Sequence, residues 1–270
     1  MRVGFYQFRP LFGKVNQNLK KVIQQLNRTS ADLLVLPELA FTGYHFRDRA
    51  ELEPMAEEVI SSKTIAALTE VCAKKDMYIV SGFAEKDGEE IYNSAILVGP
   101  QGLIHAYRKI QLFYREKEMF TPGNIPLQVH DIKGTKVGMM ICFDWIFPEI
   151  TRILALQGAE IICHPTNLVL SYCQQAMLTR CIENGVFAIT TNRYGADKRP
   201  HGTLRFTGKS QIVGPKGDLL FRAPLNRDTL QVIEINPAES RDKNMTELNH
   251  LFNDRRPEMY KKICELIPEK

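Results

Sequence analysis

Two apolar patterns alternate along this chain. Leu33–Leu36, Met77–Val80, Ile161–Cys163 and Val186–Ile189 are continuous apolar runs, as expected of strands buried on both faces. Between them apolar residues recur at helical spacing, which predicts helices over Lys63–Lys75 and Tyr172–Asn184, and a third from Pro148 through Ile150, Ile153, Leu154 and Leu156. The order then repeats. Ala31-Asp32-Leu33-Leu34-Val35-Leu36-Pro37 and Ala159-Glu160-Ile161-Ile162-Cys163-His164-Pro165 share one plan of small residue, acid, apolar run and proline, and Pro stops each strand because it has no N–H to give a ladder. Ile96–Gly102 and Ile212–Gly217 each carry a Gly-Pro-x-Gly hairpin turn. The halves read as diverged copies. Strands alternating with helices and closed by hairpins predict an α/β sandwich of two mixed β-sheets flanked by helices.

No Ser/Gly/Pro-rich linker divides the halves, which predicts one domain over residues 1–270 with a C-terminal extension over about 237–270. Its charged run Arg241–Arg256 reads either as a helical tail lying on a partner subunit or as a solvated helix. The chain has 270 residues, 44% hydrophobic and 24% charged, with a net charge of +4. That is globular composition, and so thin a positive balance argues against a nucleic-acid partner. No apolar run approaches the ~20 residues of a membrane helix. Met1–Phe5 reads as a strand and not as a signal peptide, so a cytoplasmic location is expected, with the six cysteines mostly buried apolar residues and one of them reactive.

Three positions point to chemistry. Cys142 ends an apolar strand just before the helix opened by Phe147-Pro148-Glu149, where free backbone N–H groups favour a thiolate and can bind an oxyanion. A cysteine after a strand is also ordinary core. Glu38 ends the matching strand of the first half, at the sheet edge where strand ends gather; alone it would be a solvated loop carboxylate. Lys109 lies in Tyr107–Phe113, where burying an ammonium requires an anion, unless it snorkels to the surface. Cys163, His164, Cys173 and Cys181 offer metal-ligand atoms, but without Cys-x-x-Cys spacing and with two neighbours pointing to opposite strand faces, so neither a metal nor a cofactor is expected. Arg180 and Glu183 have the spacing of an i, i+3 ion pair.

Leu36-Pro37-Glu38 with Thr42-Gly43-Tyr44, Tyr107-Arg108-Lys109, Phe120-Thr121-Pro122-Gly123 and Gly138–Asp144 with Phe147-Pro148-Glu149 form an ordered series. It continues through His164-Pro165 with Asn167, Arg180 with Glu183-Asn184, Thr191-Asn192-Arg193, and Gly208 with Ser210. Over nearly its whole length the chain resembles the nitrilase superfamily, the carbon–nitrogen hydrolases. The resemblance implies a nitrilase-like αββα sandwich and a Glu–Lys–Cys triad matched by Glu38, Lys109 and Cys142. A second glutamate is best matched by Glu116, with Glu118 as the alternative. It also implies that Phe143 N–H and Lys109 hold an oxyanion, that Tyr44, Trp145, His164 and Asn167 belong to the substrate site, and that Arg180 and Glu183 support it from behind. Homodimers or larger homo-oligomers paired through helices are the expected assembly.

Within that family, nitrilases resemble one another in a Trp-Glu after the nucleophile, whereas this chain has Phe143-Asp144. The expected activity is therefore that of an amidase, releasing ammonia and a carboxylic acid, with a nitrilase or an N-carbamoyl amidohydrolase as alternatives. Ile146 stands where carboxylate-binding relatives typically carry Arg, which favours a neutral aliphatic or aromatic amide; Arg193 or His201 offers anion binding from another loop. From a different class, a non-catalytic thiol sensor would use the same cysteine.

Overall fold

The computed structural model describes residues 1–265. The first half runs β1 (Arg2–Gln7), α1 (Val15–Asn27), β2 (Leu33–Val35), α2 (Arg49–Leu52), β3 (Glu57–Glu58), α3 (Lys63–Lys75), β4 (Tyr78–Asp87), β5 (Glu90–Gly99), β6 (Gly102–Arg108) and α4 (Glu116–Met119). The second runs β7 (Val129–Ile132), β8 (Thr135–Met139), α5 (Pro148–Leu156), β9 (Ile161–Thr166), α6 (Cys173–Asn184), β10 (Phe187–Asn192), β11 (Tyr194–Arg199), β12 (Gly202–Thr207), β13 (Gln211–Val213), β14 (Leu219–Arg222) and β15 (Thr229–Glu234).

One mixed sheet has the order β15-β1-β2-β4-β5-β6, with β3 beside β4; the other has β7-β8-β9-β10-β13-β14. The two orders are equivalent. In each, three parallel strands carry an antiparallel strand on one side and two antiparallel strands on the other. Alternation within the strands explains the layering: Leu33, Val35, Ala95 and Leu97 face a core shared with Val137, Ile161, Cys163 and Ile189 of the second sheet. Leu34, Leu36, Ile96 and Val98 face outward under Val22, Leu26, Leu68 and Val71 of α1 and α3. Leu154 of α5 and Met177 and Cys181 of α6 cover the second sheet.

Two expectations change. In α5, Ile150 and Leu154 are buried, but Ile153 and Leu156 are each 42% exposed on its outer side, next to Tyr260 and Ile263. After Ser240 the chain forms turns and short 3-10 segments at Pro257–Met259 and Lys261–Cys264 instead of a helical tail. Side chains there compete for the backbone: Asp242, Thr246 and Asp254 accept from the N–H groups of Asn244, Asn249 and His250. The remainder of the extension, residues 266–270, lies outside the described residues. Among those described, no helix is long and apolar enough to cross a membrane.

Close backbone approach fixes where the strand ends meet. A Cβ on Gly82 in β4 would lie 2.3 Å from the Glu38 Cα, and one on Gly123 would lie 2.1 Å from the Arg108 carbonyl oxygen. Gly82→Ala should therefore cost about 3 kcal/mol through overpacking against backbone, and it should displace Glu38. Denaturant unfolding beside an activity assay checks this; an unchanged midpoint would contradict it.

Candidate active site

Three strand ends deliver the polar groups. β2 leads through Pro37 to Glu38, whose side chain has no solvent exposure. β6 leads to Lys109, whose N–H donates to the Asn93 carbonyl at 2.9 Å and whose carbonyl accepts from Gly123 N–H at 2.8 Å. Lys109 Nζ donates to Glu38 Oε1 at 2.8 Å and to Glu116 Oε1 and Oε2 at 2.9 and 2.7 Å. Asn93 Nδ2 also donates to Glu38 Oε1 at 2.8 Å, while Glu38 Oε2 is buried with no hydrogen-bond partner among the described residues. Glu116, at the start of α4, accepts in addition from the Tyr44 hydroxyl at 2.6 Å and Phe113 N–H at 3.1 Å. Glu118 instead points to the surface in an ion pair with Arg115.

Cys142 follows β8 and opens a 3-10 turn over Cys142–Ile146 with φ of 41°, a left-handed backbone that a residue with a Cβ adopts at a cost. Several contacts hold this turn. Asp144 Oδ2 accepts from Ile141 N–H and from the Tyr107 hydroxyl, both at 2.8 Å, and Oδ1 accepts from Gln111 N–H at 3.1 Å. His164 Nε2 donates to the Cys142 carbonyl at 3.0 Å. Arg180 Nε donates to the Trp145 carbonyl at 3.1 Å and pairs with Glu183 at 3.0 Å. Asn167 links the two sides: its side chain donates to the Glu38 carbonyl at 2.8 Å and its backbone N–H to the Cys142 thiol. As second residue of the turn, Phe143 has no intrahelical acceptor for its own N–H.

The electrostatics correct one expectation. Burial raises the Glu38 carboxyl above its usual range; Lys109 opposes this and Glu116 adds to it. Burial alone would weaken the Lys109 ammonium, but Glu116 and Glu38 outweigh it and hold the proton more tightly than usual. Burial and then the Glu38 charge push the Cys142 thiol well up, with Lys109 opposing. Cys142 is thus a thiol at rest, because the nearby carboxylates and the lack of water prevail over the turn's N–H groups. Burial pushes Asp144 up to about 6 and His164 down to about 4.

A cavity of about 230 Å³ opens beside Glu116. Tyr44, Phe46, Phe113 and Met119 line it together with Val169 and Leu204, and residues from 201 to 204 form its outer wall. Tyr44 is therefore on the cavity. His164 is fully buried and acts on the Cys142 backbone, and Trp145 packs into the hydrophobic core, so neither lines it. Phe143 packs between Phe113 and Phe147, with ring centroids 5.0 and 5.6 Å away. Arg193 is closed to an anion: Asp197 takes its guanidinium bidentately at 2.7 and 2.8 Å, and its group lies 4.0 Å from the Phe206 ring centroid. Cys72, Cys163, Cys173 and Cys181 are buried with thiols pushed up by burial, and Cys264 is exposed. Among the described residues no three His, Cys, Asp or Glu side chains converge to hold a metal ion.

Sequence reasoning assigned no role to Asp144 or Asn93. A carboxylate three residues after Ile141, which caps the turn ahead of an apolar helix, is the available signal for Asp144 as a turn anchor. Asn93 gave none, since a polar residue inside β5 is common and its partner is 55 residues away.

The carbon-nitrogen hydrolase family model matches residues 2–244. A curated nitrilase from Pyrococcus abyssi is 43% identical over 96% of this chain and 99% of its own length. An (R)-stereoselective amidase from a Pseudomonas species is 33% identical, over 87% of this chain and 85% of its own. The crystal structure of a carbon-nitrogen hydrolase from Helicobacter pylori G27 superposes with a TM-score of 0.89 at 23% identity, covering 98% of both chains, so the fold is that of nitrilase-like proteins. With the family model spanning most of its length and two relatives above 30% identity, the chain belongs to the carbon–nitrogen hydrolases, enzymes acting on carbon–nitrogen bonds other than peptide bonds.

Proposed function

We propose that this chain is a thiol amidohydrolase, cleaving a small neutral linear amide through a thioester on Cys142. The observation that carries the reading is the free, buried Glu38 Oε2 next to a protonated thiol, with Glu38 Oε1 tied to Lys109. A thiolate beside an ionised Glu38 would place two negative charges together; moving the thiol proton to Glu38 as Sγ attacks leaves one, facing the Lys109 ammonium.

The attack forms the C–S bond and an oxyanion, held by Lys109 Nζ and Phe143 N–H; losing one such donor costs about 3 kcal/mol of transition-state stabilisation. Lys109 can release one hydrogen from its bidentate grip on Glu116 without leaving that carboxylate unpaired. Protonated Glu38 passes its proton to the nitrogen, the C–N bond breaks and ammonia leaves. Glu38 then takes a proton from water, whose oxygen attacks the thioester; collapse returns the thiol and frees the acid. Glu116 keeps Lys109 charged and in place, while Asp144, His164, Asn167, Arg180 and Glu183 hold the backbone around the nucleophile.

Phe143-Asp144 after the nucleophile and the apolar lining of the cavity support an amide without charge on its acyl group. The name of the relative at 43% identity favours the nitrile alternative. Pairing of copies into a homodimer is supported by the apolar outer side of α5, where Ile153 and Leu156 are exposed.

Ammonia release from a panel of neutral amides and the matching nitriles, with Cys142→Ala in parallel, tests the assignment. Turnover of amides that vanishes in the variant is expected; turnover of nitriles alone would replace it by the nitrilase reading. Glu38→Gln should lower kcat by roughly 10²–10⁴-fold and leave an acyl mass on Cys142 in intact mass spectrometry; a mass on another cysteine would contradict the mechanism. Because Glu38 must be ionised to take the thiol proton and its pKa lies above the ordinary 4.5, activity should fall with acid at a higher pH than an exposed glutamate titrates. A kcat/KM profile flat down to pH 4.5 would rule out Glu38 as base.

A further inference from the structure

The outer wall of the cavity is the hairpin β11–β12, and its placement is fixed. Arg199 pairs with Glu51 and lies 3.8 Å from the Phe12 ring centroid, while Arg9 donates to the Ala196 carbonyl at 2.8 Å. This wall brings His201 against His45, with ring centroids 4.4 Å apart and the planes at 66°. Both rings line the cavity together with the exposed Gly202 and Thr203 and the buried Glu116. His45 Nδ1 lies 3.3 Å from the Asp197 carbonyl. A carbonyl only accepts, so Nδ1 carries the proton and Nε2 is a bare acceptor. His201 Nε2 is buried and has no partner among the described residues.

Among the described residues, the arginines around the two imidazoles are each paired with a carboxylate. Arg199 is taken by Glu51, Arg115 by Glu118, and Arg193 is enclosed with Asp197. Burial, together with His201 and Arg199, keeps His45 neutral. A carboxylate entering here would lose its hydration and would have to compete with Glu51 for Arg199, whereas a neutral group that donates and accepts would satisfy both rings. At the ~30 Å³ that water occupies per molecule, the cavity holds about eight non-hydrogen atoms, the size of a short linear acyl chain, and its lining includes Glu116, which grips Lys109.

We propose that His45 and His201 are specificity-determining residues that hydrogen-bond a neutral polar group, a second carboxamide or a hydroxyl, at the far end of the substrate's acyl chain. The proposal rests on the amidase reading for the scissile end. Carboxamide N–H would donate to His45 Nε2, and its oxygen would accept from His201 Nε2 in the tautomer that carries hydrogen there.

Three isosteric amides test it: succinamide, 4-methylpentanamide and succinamate, which end in a carboxamide, an isopropyl group and a carboxylate. kcat/KM from ammonia release is measured for the wild type, His45→Phe and His201→Phe, and the three affinities are measured by calorimetry on Cys142→Ala. The wild type is expected to favour succinamide at least tenfold over each of the others, and each His→Phe variant to bring the ratio to 4-methylpentanamide close to one. A wild-type preference for succinamate or 4-methylpentanamide, equal use of all three, or a succinamide preference that survives in both variants would overturn the proposal. Failure of the amidase reading looks different: no ammonia from any amide, with calorimetry on Cys142→Ala still ranking the ligands and so still deciding the role of the histidines. Absence of binding by all three would overturn that role too.

Discussion

An ammonium group with no access to water must find its acceptors inside the protein, and Lys109 finds three carboxylate oxygens on two residues. Removing the ammonium would strand two buried carboxylates, a loss of about 3–5 kcal/mol. This requirement draws together the ends of β2 and β6 and the start of α4, and the glycines at 82 and 123 let the backbones come close enough. The same strand serves the nucleophile. Tyr107, two residues before Lys109 and so on the same side of the strand, donates to Asp144, which pins the turn carrying Cys142. One strand end therefore sets the position of the cation and, through one carboxylate, that of the thiol.

The arrangement disfavours the thiolate of Cys142. Cys142 has a proton, an unoccupied carboxylate oxygen in its surroundings, and almost no solvent. An exposed thiolate would react with any electrophile or oxidant. In the proposed mechanism the nucleophile is generated only as its proton moves to Glu38, which ties reactivity to a carbonyl that can receive the sulfur and to donors that can receive the oxyanion.

Much of this was legible in residue order because the fold writes itself in local signals. Continuous apolar runs gave the central strands, though β9 does not stop at Pro165 as expected but runs through it to Thr166 in register with β10; Gly-Pro-x-Gly gave the hairpins, and Lys63–Lys75 is the helix its spacing predicts. The loops around residues 44–50, 111–124 and 193–207 supply most of the cavity lining. What local pattern could not supply was pairing over distance. The state of the Cys142 thiol depends on Glu38, which comes from the other half of the chain. Apolar Ile153 and Leu156 fit a buried stripe as well as an outward face, and the choice depends on which side of α5 meets the sheet. The C-terminal extension misled because its charges resemble a helix surface, while its Asp, Asn and Thr side chains occupy the backbone N–H groups.

The equivalence of the two sheets reaches into the cleft. By strand register Val3 corresponds to Val137 and Leu33 to Ile161, which sets Phe8 against Cys142 and Thr166 against Glu38. The acid and the thiol thus come from different halves and from non-equivalent positions. A half-length ancestor pairing with a copy of itself would have owned two identical clefts, each forced to carry whatever the other carried. A single chain is free of that obligation: at one end of the pseudo-symmetric pair stand a buried phenyl ring and a threonine, where the other end has the thiol and the carboxylate. The asymmetry needed for a single nucleophile with a single base is a property that covalent continuity confers and that a symmetric pair cannot possess.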